Sequence, residues 1–320
     1  MANILVTVTK FEERCIAARE YMEAHGHKVF ISDAKLRLLQ PKDIIPIVED
    51  MDAAIIGMDV WDAKLFDMAP RVKAVAKFGV GVDNIDLDEA ARRGIYALNA
   101  AGANAAAVAE ITIGLMVACL RNVGALQDDL RAGSWTRFLG EEIAGKTVGL
   151  IGFGQIARRV ARILKAMDAN VIVYNRTPRP ELAAEYGVEF KSREEVIANA
   201  DILSLHIPGT ADNVHMMNDK TFAAMKKGAY FVNTGRGCLV DEAALMRAVE
   251  SGHITAAGLD VFEKEPPAQD NPILRHPRIM CLPHTGGETQ EAYAKIGLSV
   301  AKSVCQALAG ETPDNWVNRW

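Results

Sequence analysis

The sequence predicts an α/β protein whose parallel sheets are covered by helices on both faces. Three observations predict it. Short apolar runs alternate with helical stretches along most of the 320 residues, which is the pattern of βαβ units. A glycine-rich turn, Gly152-Phe-Gly-Gln-Ile-Ala157, closes one apolar run and opens a helix. The alternation occurs both before and after a long apolar segment at Ala105–Arg121, in a chain too long for one core, so two doubly wound sheets are expected.

The elements follow in order. Asn3–Thr9 reads as a strand and Glu12–Glu23 as a helix that ends at Gly26, between His25 and His27. Lys28–Ser32, Ala53–Ile56 and Val72–Phe78 are further strands, with helices over Lys42–Glu49 and Leu87–Arg93. Ala105–Arg121 is Ala-rich and apolar on most faces, with no breaker before Gly124, and predicts a long helix buried between domains or between subunits. The rhythm then restarts. Lys146–Ile151 is a strand, Gly152–Gly154 a turn and Ala157–Ala166 a helix. Strands follow at Asn170–Tyr174, Ile202–His206, Ala229–Asn233, Ala256–Asp260 and Arg278–Leu282, and Gly287 leads into a last helix over Thr289–Ala309. No low-complexity segment and no fixed-period repeat is present.

Composition narrows the function classes. A net charge of -5 and a pI near 5.9 leave no overall basic footprint, so a nucleic-acid partner is not expected. The five cysteines are scattered with no Cys-x-x-Cys, and the histidines lack ligand spacing, which fits reduced thiols and no metal. The N-terminus carries no basic head or small-residue cleavage site. The longest apolar stretch holds Glu110 and is too short for a bilayer, so the expectation is a cytoplasmic protein with no membrane partner.

The Gly152–Ala157 turn has a physical purpose. Gly152 permits the tight turn, and Gly154 lets a pyrophosphate reach the backbone and the N-terminus of the helix that begins with Gln155 and Ile156. Ala157 keeps that helix close to the strand. The pattern predicts a bound dinucleotide. An NAD site usually places a carboxylate roughly 20 residues on, to accept hydrogen bonds from the adenosine ribose. Here the next strand ends in Asn175-Arg176-Thr177, with Arg179 close by. A 2′-phosphate carries about two negative charges and suits a guanidinium better than a carboxylate, so NADP(H) is favoured over NAD(H).

Three segments that close later strands hold the remaining chemistry. Arg236 follows Ala229–Asn233, Asp260 with Glu263 and Glu265 follows the next strand, and His284 follows the last. Open α/β sheets place ligands at these carboxyl ends. Arg236 can clamp a carboxylate and polarise an adjacent carbonyl, His284 can exchange a proton, and Glu265 can hold the ring and stabilise imidazolium.

Over nearly its whole length the chain resembles the D-isomer-specific 2-hydroxyacid dehydrogenases, the group of phosphoglycerate dehydrogenases and glyoxylate/hydroxypyruvate reductases. The motifs that carry this are Lys77 to Asp86, Gly102 to Glu110, Gly152 to Ala157, His206-Ile-Pro208, Asn233 to Gly237, Asp260 to Pro267 and Pro283-His284. The resemblance implies a Rossmann cofactor domain (residues 100–287) inserted into a flavodoxin-like catalytic domain (residues 1–99 and 288–320). It also implies a homodimer formed through the 105–121 helix. It gives Arg236 the substrate carboxylate, Glu265 rather than Glu263 the role of histidine partner, and His284 that of general acid/base. Val80 and Gly81 would touch the substrate carboxylate through their backbone, and Lys77 is a candidate for the substrate's distal group, as are Arg71 and Lys73. Asp260 would contact the nicotinamide carboxamide, with His206, Pro208, Thr234, Gly286 and Gly287 also at the cofactor. Ala107 stands where the family often has Ser or Thr, so one hydroxyl near the cofactor is expected to be missing. The chain ends at Trp320, and a C-terminal regulatory domain is not expected.

The implied activity is hydride transfer between a nicotinamide and a small (R)-2-hydroxy acid such as glycerate, glycolate, 2-ketogluconate or 3-phosphoglycerate. A dinucleotide-sensing corepressor on the same scaffold is the rival of another class, and turnover with any 2-oxo acid separates the two. A phosphonate- or formate-type dehydrogenase is a further alternative, and it would need a differently equipped pocket.

Overall fold

The computed structural model describes residues 1–32 and 47–320. These form two compact units: Met1–Asn104 with Gly287–Trp320, and Ala105–Gly286, which interrupts the first in chain order.

In the first unit, β1 (Asn3–Val6), β2 (Lys28–Ile31), β3 (Ala53–Ile56), β4 (Ala74–Lys77) and β5 (Tyr96–Leu98) form one parallel sheet in the order β2-β1-β3-β4-β5. This is the flavodoxin-like doubly wound order. β3 is apolar and buried at every position because helices cover both faces. The helix expected over Glu12–Glu23 is broken at Cys15 into Phe11–Arg14 and Ile16–Ala24, and the Cys15 thiol turns to the Tyr293 carbonyl at 3.3 Å. The expected Lys42–Glu49 helix falls largely outside the described residues. The returning chain forms a 20-residue helix, Gln290–Ala309, and then a tail stitched to the edge of β5. Asn318 accepts a hydrogen bond from Ala97 N at 2.8 Å and donates one to Ile95 O at 2.9 Å.

The second unit holds β6 (Thr147–Ile151), β7 (Asn170–Tyr174), β8 (Glu189–Phe190), β9 (Ile202–Leu205), β10 (Ala229–Asn233), β11 (Ile254–Leu259) and β12 (Ile279–Cys281). They form one parallel sheet in the order β12-β11-β10-β9-β6-β7-β8. Strand order reverses between β6 and β9, where a doubly wound sheet opens a crevice at its carboxyl edge. The Gln155–Ala166 helix buries Ala157, Val160, Ala161 and Leu164, a helical spacing that lays one face on the sheet.

Ala105–Leu120 packs within this unit, against the Gln155–Ala166 helix and strands β10 and β11. It buries Val108, Thr112, Leu115, Met116 and Cys119, leaving Glu110 and Gly114 exposed. A second helix, Val123–Arg131, follows it and buries none of its residues. Among the described residues, no single helix is long and apolar enough to cross a membrane, and no disulfide joins the cysteines.

Candidate active site

The carboxyl edge of the second sheet gathers almost all the chemistry. Gly152 stands at φ +96°, and a side chain there would lie 2.5 Å from the His206 carbonyl oxygen just past β9, so only glycine makes the turn from β6 into the Gln155–Ala166 helix. Gly154 is the N-cap residue of the Gln155–Ala166 helix, with no side-chain cap and open space where a Cβ would stand. Uncapped N–H groups, a positive dipole end and no side chain in the way fit a pyrophosphate.

The turn after β10 is built by Asn233, a residue the sequence reading does not single out. Its buried side chain accepts from Gly235 N at 3.0 Å and donates to the Arg236 carbonyl at 2.8 Å, which fixes the course of Thr234-Gly235-Arg236. Thr234 donates to Thr112 Oγ1 at 2.8 Å, because Thr112 commits its own proton to Val108 O at 2.7 Å. A hydroxyl on this helix therefore faces the site-forming turn, at Thr112 instead of Ala107. Arg236 is half-buried, and its Nη1 donates to Gly235 O at 2.7 Å.

Asp260 organises the segment that carries the histidine. Its carbonyl accepts from His284 N at 2.9 Å, and its two carboxylate oxygens accept from Thr285 N at 2.7 Å and Gly286 N at 2.8 Å. Three consecutive amides are thus held by one residue. They keep His284 at φ +52°, a conformation that a branched or bulky residue rarely adopts. Burial pushes the Asp260 carboxyl up, against the opposing effect of these amides. Each Asp260 oxygen takes one backbone N–H and keeps acceptor capacity for the cofactor contact expected of it.

His284 Nδ1 lies 2.6 Å from Glu265 Oε2, and Phe262 N donates to Glu265 Oε1 at 3.0 Å. An ionised carboxylate only accepts, so Nδ1 carries the proton and Nε2, which has no partner among the described residues, is left for chemistry. The hydrogen bond to Glu265 raises the His284 pKa above the ordinary histidine value, against burial and the Arg236 charge. Burial alone would raise Glu265, but the bonds from His284 and Phe262 outweigh it and hold the carboxyl below its usual range. Glu263 pairs with His215 at 2.6 Å, so the first glutamate of the segment is engaged elsewhere.

His206 closes β9 with its Nε2 3.0 Å from Ser204 Oγ. Burial pushes its pKa down to about 4, so it is neutral at physiological pH. Pro208 is exposed and its carbonyl accepts from Asn213 Nδ2 at 3.1 Å. Asn175 spends its side chain on the loop: Oδ1 accepts from Phe153 N at 3.1 Å and Nδ2 donates to Thr177 O at 2.8 Å. Arg176, Thr177 and Arg179 are exposed beside it. Among the described residues no cluster of three or more His, Cys, Asp or Glu is arranged to hold a metal.

The carboxyl edge of the first sheet holds the remaining candidates. Lys77 closes β4 and donates to Gly57 O at 2.5 Å. Asn99 Nδ2 donates to Val80 O at 2.8 Å and Ala100 N to Gly79 O at 2.7 Å, while the Val80 and Gly81 amides have no partner among the described residues. Two free adjacent N–H groups suit an anion. Arg71 and Lys73 precede β4 and lie at the opposite, amino edge, where Arg71 pairs with Asp52 at 3.0 Å. Strand direction places them there, Lys73 about 13 Å from Lys77 at four residues' rise. Gly287 begins the return to the first unit, beside Asn104.

A parallel sheet with a glycine turn at its switch point, and an arginine, glutamate and histidine on the same edge, define a dinucleotide-binding oxidoreductase architecture. Residues 113–286 match the family model described as D-isomer specific 2-hydroxyacid dehydrogenase, NAD binding domain. The chain is 35% identical over 304 residues to D-3-phosphoglycerate dehydrogenase of Archaeoglobus fulgidus, covering 94% of this chain and 57% of that one. It is 36% identical to glyoxylate reductase of Thermococcus litoralis, covering 85% of each. A solved glyoxylate reductase from Paecilomyes thermophila superposes with a TM-score of 0.88 at 31% identity, covering 99% of this chain and 98% of that one. The chain belongs to the D-isomer-specific 2-hydroxyacid dehydrogenase family. It spans little more than half the length of the phosphoglycerate dehydrogenases it matches.

Proposed function

We propose that the protein is a 2-hydroxyacid dehydrogenase/2-oxoacid reductase that prefers NADP(H) and acts on a small (R)-2-hydroxy or 2-oxo acid. The observation that carries this reading is the 2.6 Å contact between His284 Nδ1 and Glu265 Oε2, which leaves Nε2 free. A bound nicotinamide supplies the hydride in reduction and accepts it in oxidation. His284 Nε2 gives its proton to the carbonyl oxygen in reduction and takes it back in oxidation. Glu265 fixes the tautomer and stabilises the imidazolium. Arg236 binds the substrate carboxylate and polarises the neighbouring carbonyl, orienting the reacting carbon. Asn233 and Asp260 position these groups through the backbone.

Gly152, Gly154, Gln155 and Ile156 receive the pyrophosphate. Arg176 meets the 2′-phosphate, in a segment from Asn175 to Pro180 that carries no carboxylate. In the first unit Val80 and Gly81 offer amides to the substrate carboxylate, and Lys77 is the candidate for its distal group. The unit of Met1–Asn104 with Gly287–Trp320 takes the substrate and Ala105–Gly286 the cofactor, with boundaries within five residues of those expected from the sequence. The working form is a cytoplasmic homodimer joined through the exposed side of the 105–121 helix. The test is a panel of glyoxylate, hydroxypyruvate, 2-ketogluconate and 3-phosphohydroxypyruvate with both coenzymes. Turnover with at least one acid, faster with NADPH, is the expected result. No turnover on any acid overturns the reading.

A further inference from the structure

Arg158 lies one residue beyond the Gly-x-Gly-x-x-Ala turn, and its side chain folds back along the Gln155–Ala166 helix. Its Nε donates to the Phe153 carbonyl at 3.2 Å. Phe153 N in turn donates to Asn175 Oδ1 at 3.1 Å. The residue between the two glycines is therefore held from both sides, by Arg158 on the helix and by Asn175 at the end of β7, next to Arg176.

A guanidinium has five N–H donors in a rigid fork. Arg158 uses one of them, and the four on its terminal nitrogens have no partner among the described residues. It makes no ion pair there, although it is only half-buried. Arg176 is exposed and likewise unpaired among the described residues. Both guanidiniums are thus uncompensated among the described residues, Arg176 directly after Asn175 and Arg158 linked to Asn175 through Phe153.

The charge count gives this a purpose. A 2′-phosphate carries about two negative charges near neutral pH, so one arginine leaves about one of them unbalanced. We propose that Arg158 and Arg176 form a two-guanidinium cradle for the coenzyme's 2′-phosphate, Arg158 from the helix side and Arg176 from the strand side. This rests on the reading that the site takes NADP(H). The pyrophosphate is served by the backbone at Gly154, whereas Arg158 is tied to Phe153 and through it to Asn175, on the adenosine-ribose side of the turn.

The experiment is calorimetric titration of the full chain with 2′,5′-ADP and with 5′-AMP, which differ only in the 2′-phosphate. Arg158→Gln, Arg158→Lys and Arg176→Gln are compared with the unaltered protein. The unaltered protein binds 2′,5′-ADP more tightly. Arg158→Gln reduces that preference about 10- to 100-fold, the loss of a charge-assisted hydrogen-bonded contact, and Arg158→Lys retains part of it. Raising the salt concentration narrows the gap between Arg158→Gln and the unaltered protein. Equal weakening of both ligands by Arg158→Gln would mean that Arg158 only supports the loop, and it overturns the proposal. So does a preference unchanged in Arg158→Gln but lost in Arg176→Gln, which leaves the NADP(H) reading standing. Equal binding of both ligands by the unaltered protein overturns the NADP(H) reading itself, and the cradle with it.

Discussion

Gly237→Ala is a one-methyl test of how the site is assembled. Gly237 follows Arg236, and a Cβ built on it would lie 1.8 Å from the Phe262 carbonyl oxygen and 2.6 Å from Glu263 N. Ordinary contact needs the two to separate by about 1.6–2.2 Å, and the obstacle is backbone, which has no rotamer to escape into. Phe262 N also donates to Glu265 Oε1 at 3.0 Å, so any shift of Phe262 drags the carboxylate that holds His284. Overpacking of this kind costs about 3 kcal/mol. In a unit the size of Ala105–Gly286 that lowers Tm by about 6–12 °C. Misplacing the Glu265–His284 pair by about 1 Å costs on the order of 10²-fold in kcat. Differential scanning calorimetry and steady-state reduction of a 2-oxo acid read both effects on one preparation. A Gly237→Ala protein with unchanged Tm and unchanged kcat refutes the reasoning, because Phe262 would then be free to move without disturbing Glu265.

Two further outcomes follow from the site's electrostatics. Glu265 raises the His284 pKa, so Glu265→Gln lowers it, and the reductive limb, which needs imidazolium, moves to lower pH. Above that limb, each unit of downward shift slows reduction about tenfold, as a kcat–pH profile would show, while an unmoved limb places the proton donor elsewhere. His206, pushed down to about 4, stays neutral through pH 5–8, and its ring resonances in a histidine NMR titration stay flat there. The folded His206 pKa lies below the unfolded value of about 6.5, so its effect on stability is absent at neutral pH. Stability is then lost as pH falls from about 6.5 towards about 4, where the unfolded chain alone takes up the proton. A His206 titrating near 6.5 contradicts its half-buried placement.

Most of the fold is legible in the sequence where local chemistry and burial agree. β3, β7 and β10 occupy the expected residues because central parallel strands are continuously apolar and bounded by turn residues. Glycine-turn spacing likewise locates the switch point. Shorter elements carry weaker signals. β5 has three residues and β8 two, and the Ala63–Asp67 and Pro180–Tyr186 helices complete barely one or two turns. The Arg193–Asn199 helix, which the expected elements omit, starts at a Ser192/Glu195 capping box.

Arg236, Glu265 and His284 are legible because each follows a strand at the same sheet edge. Asn233 and Gly237 are not, since their importance lies in a turn and a backbone approach made only when the strands assemble. Strand direction alone separates Lys77 from Arg71 and Lys73, which sit at the two ends of β4. Arg158 reads from sequence as one more helix-surface arginine. Only its bond to Phe153 O links it, through Asn175, to the segment that follows β7.

The central claim is that His284 exchanges the reaction's proton, held ready by Glu265. Its most direct test is kcat for NADPH-dependent reduction of the best 2-oxo acid, measured for the unaltered protein and for His284→Ala with matched Tm and matched NADPH affinity. A loss of about 10²–10⁴-fold in kcat with coenzyme binding unchanged is the expected result. Turnover in His284→Ala equal to that of the unaltered protein contradicts it.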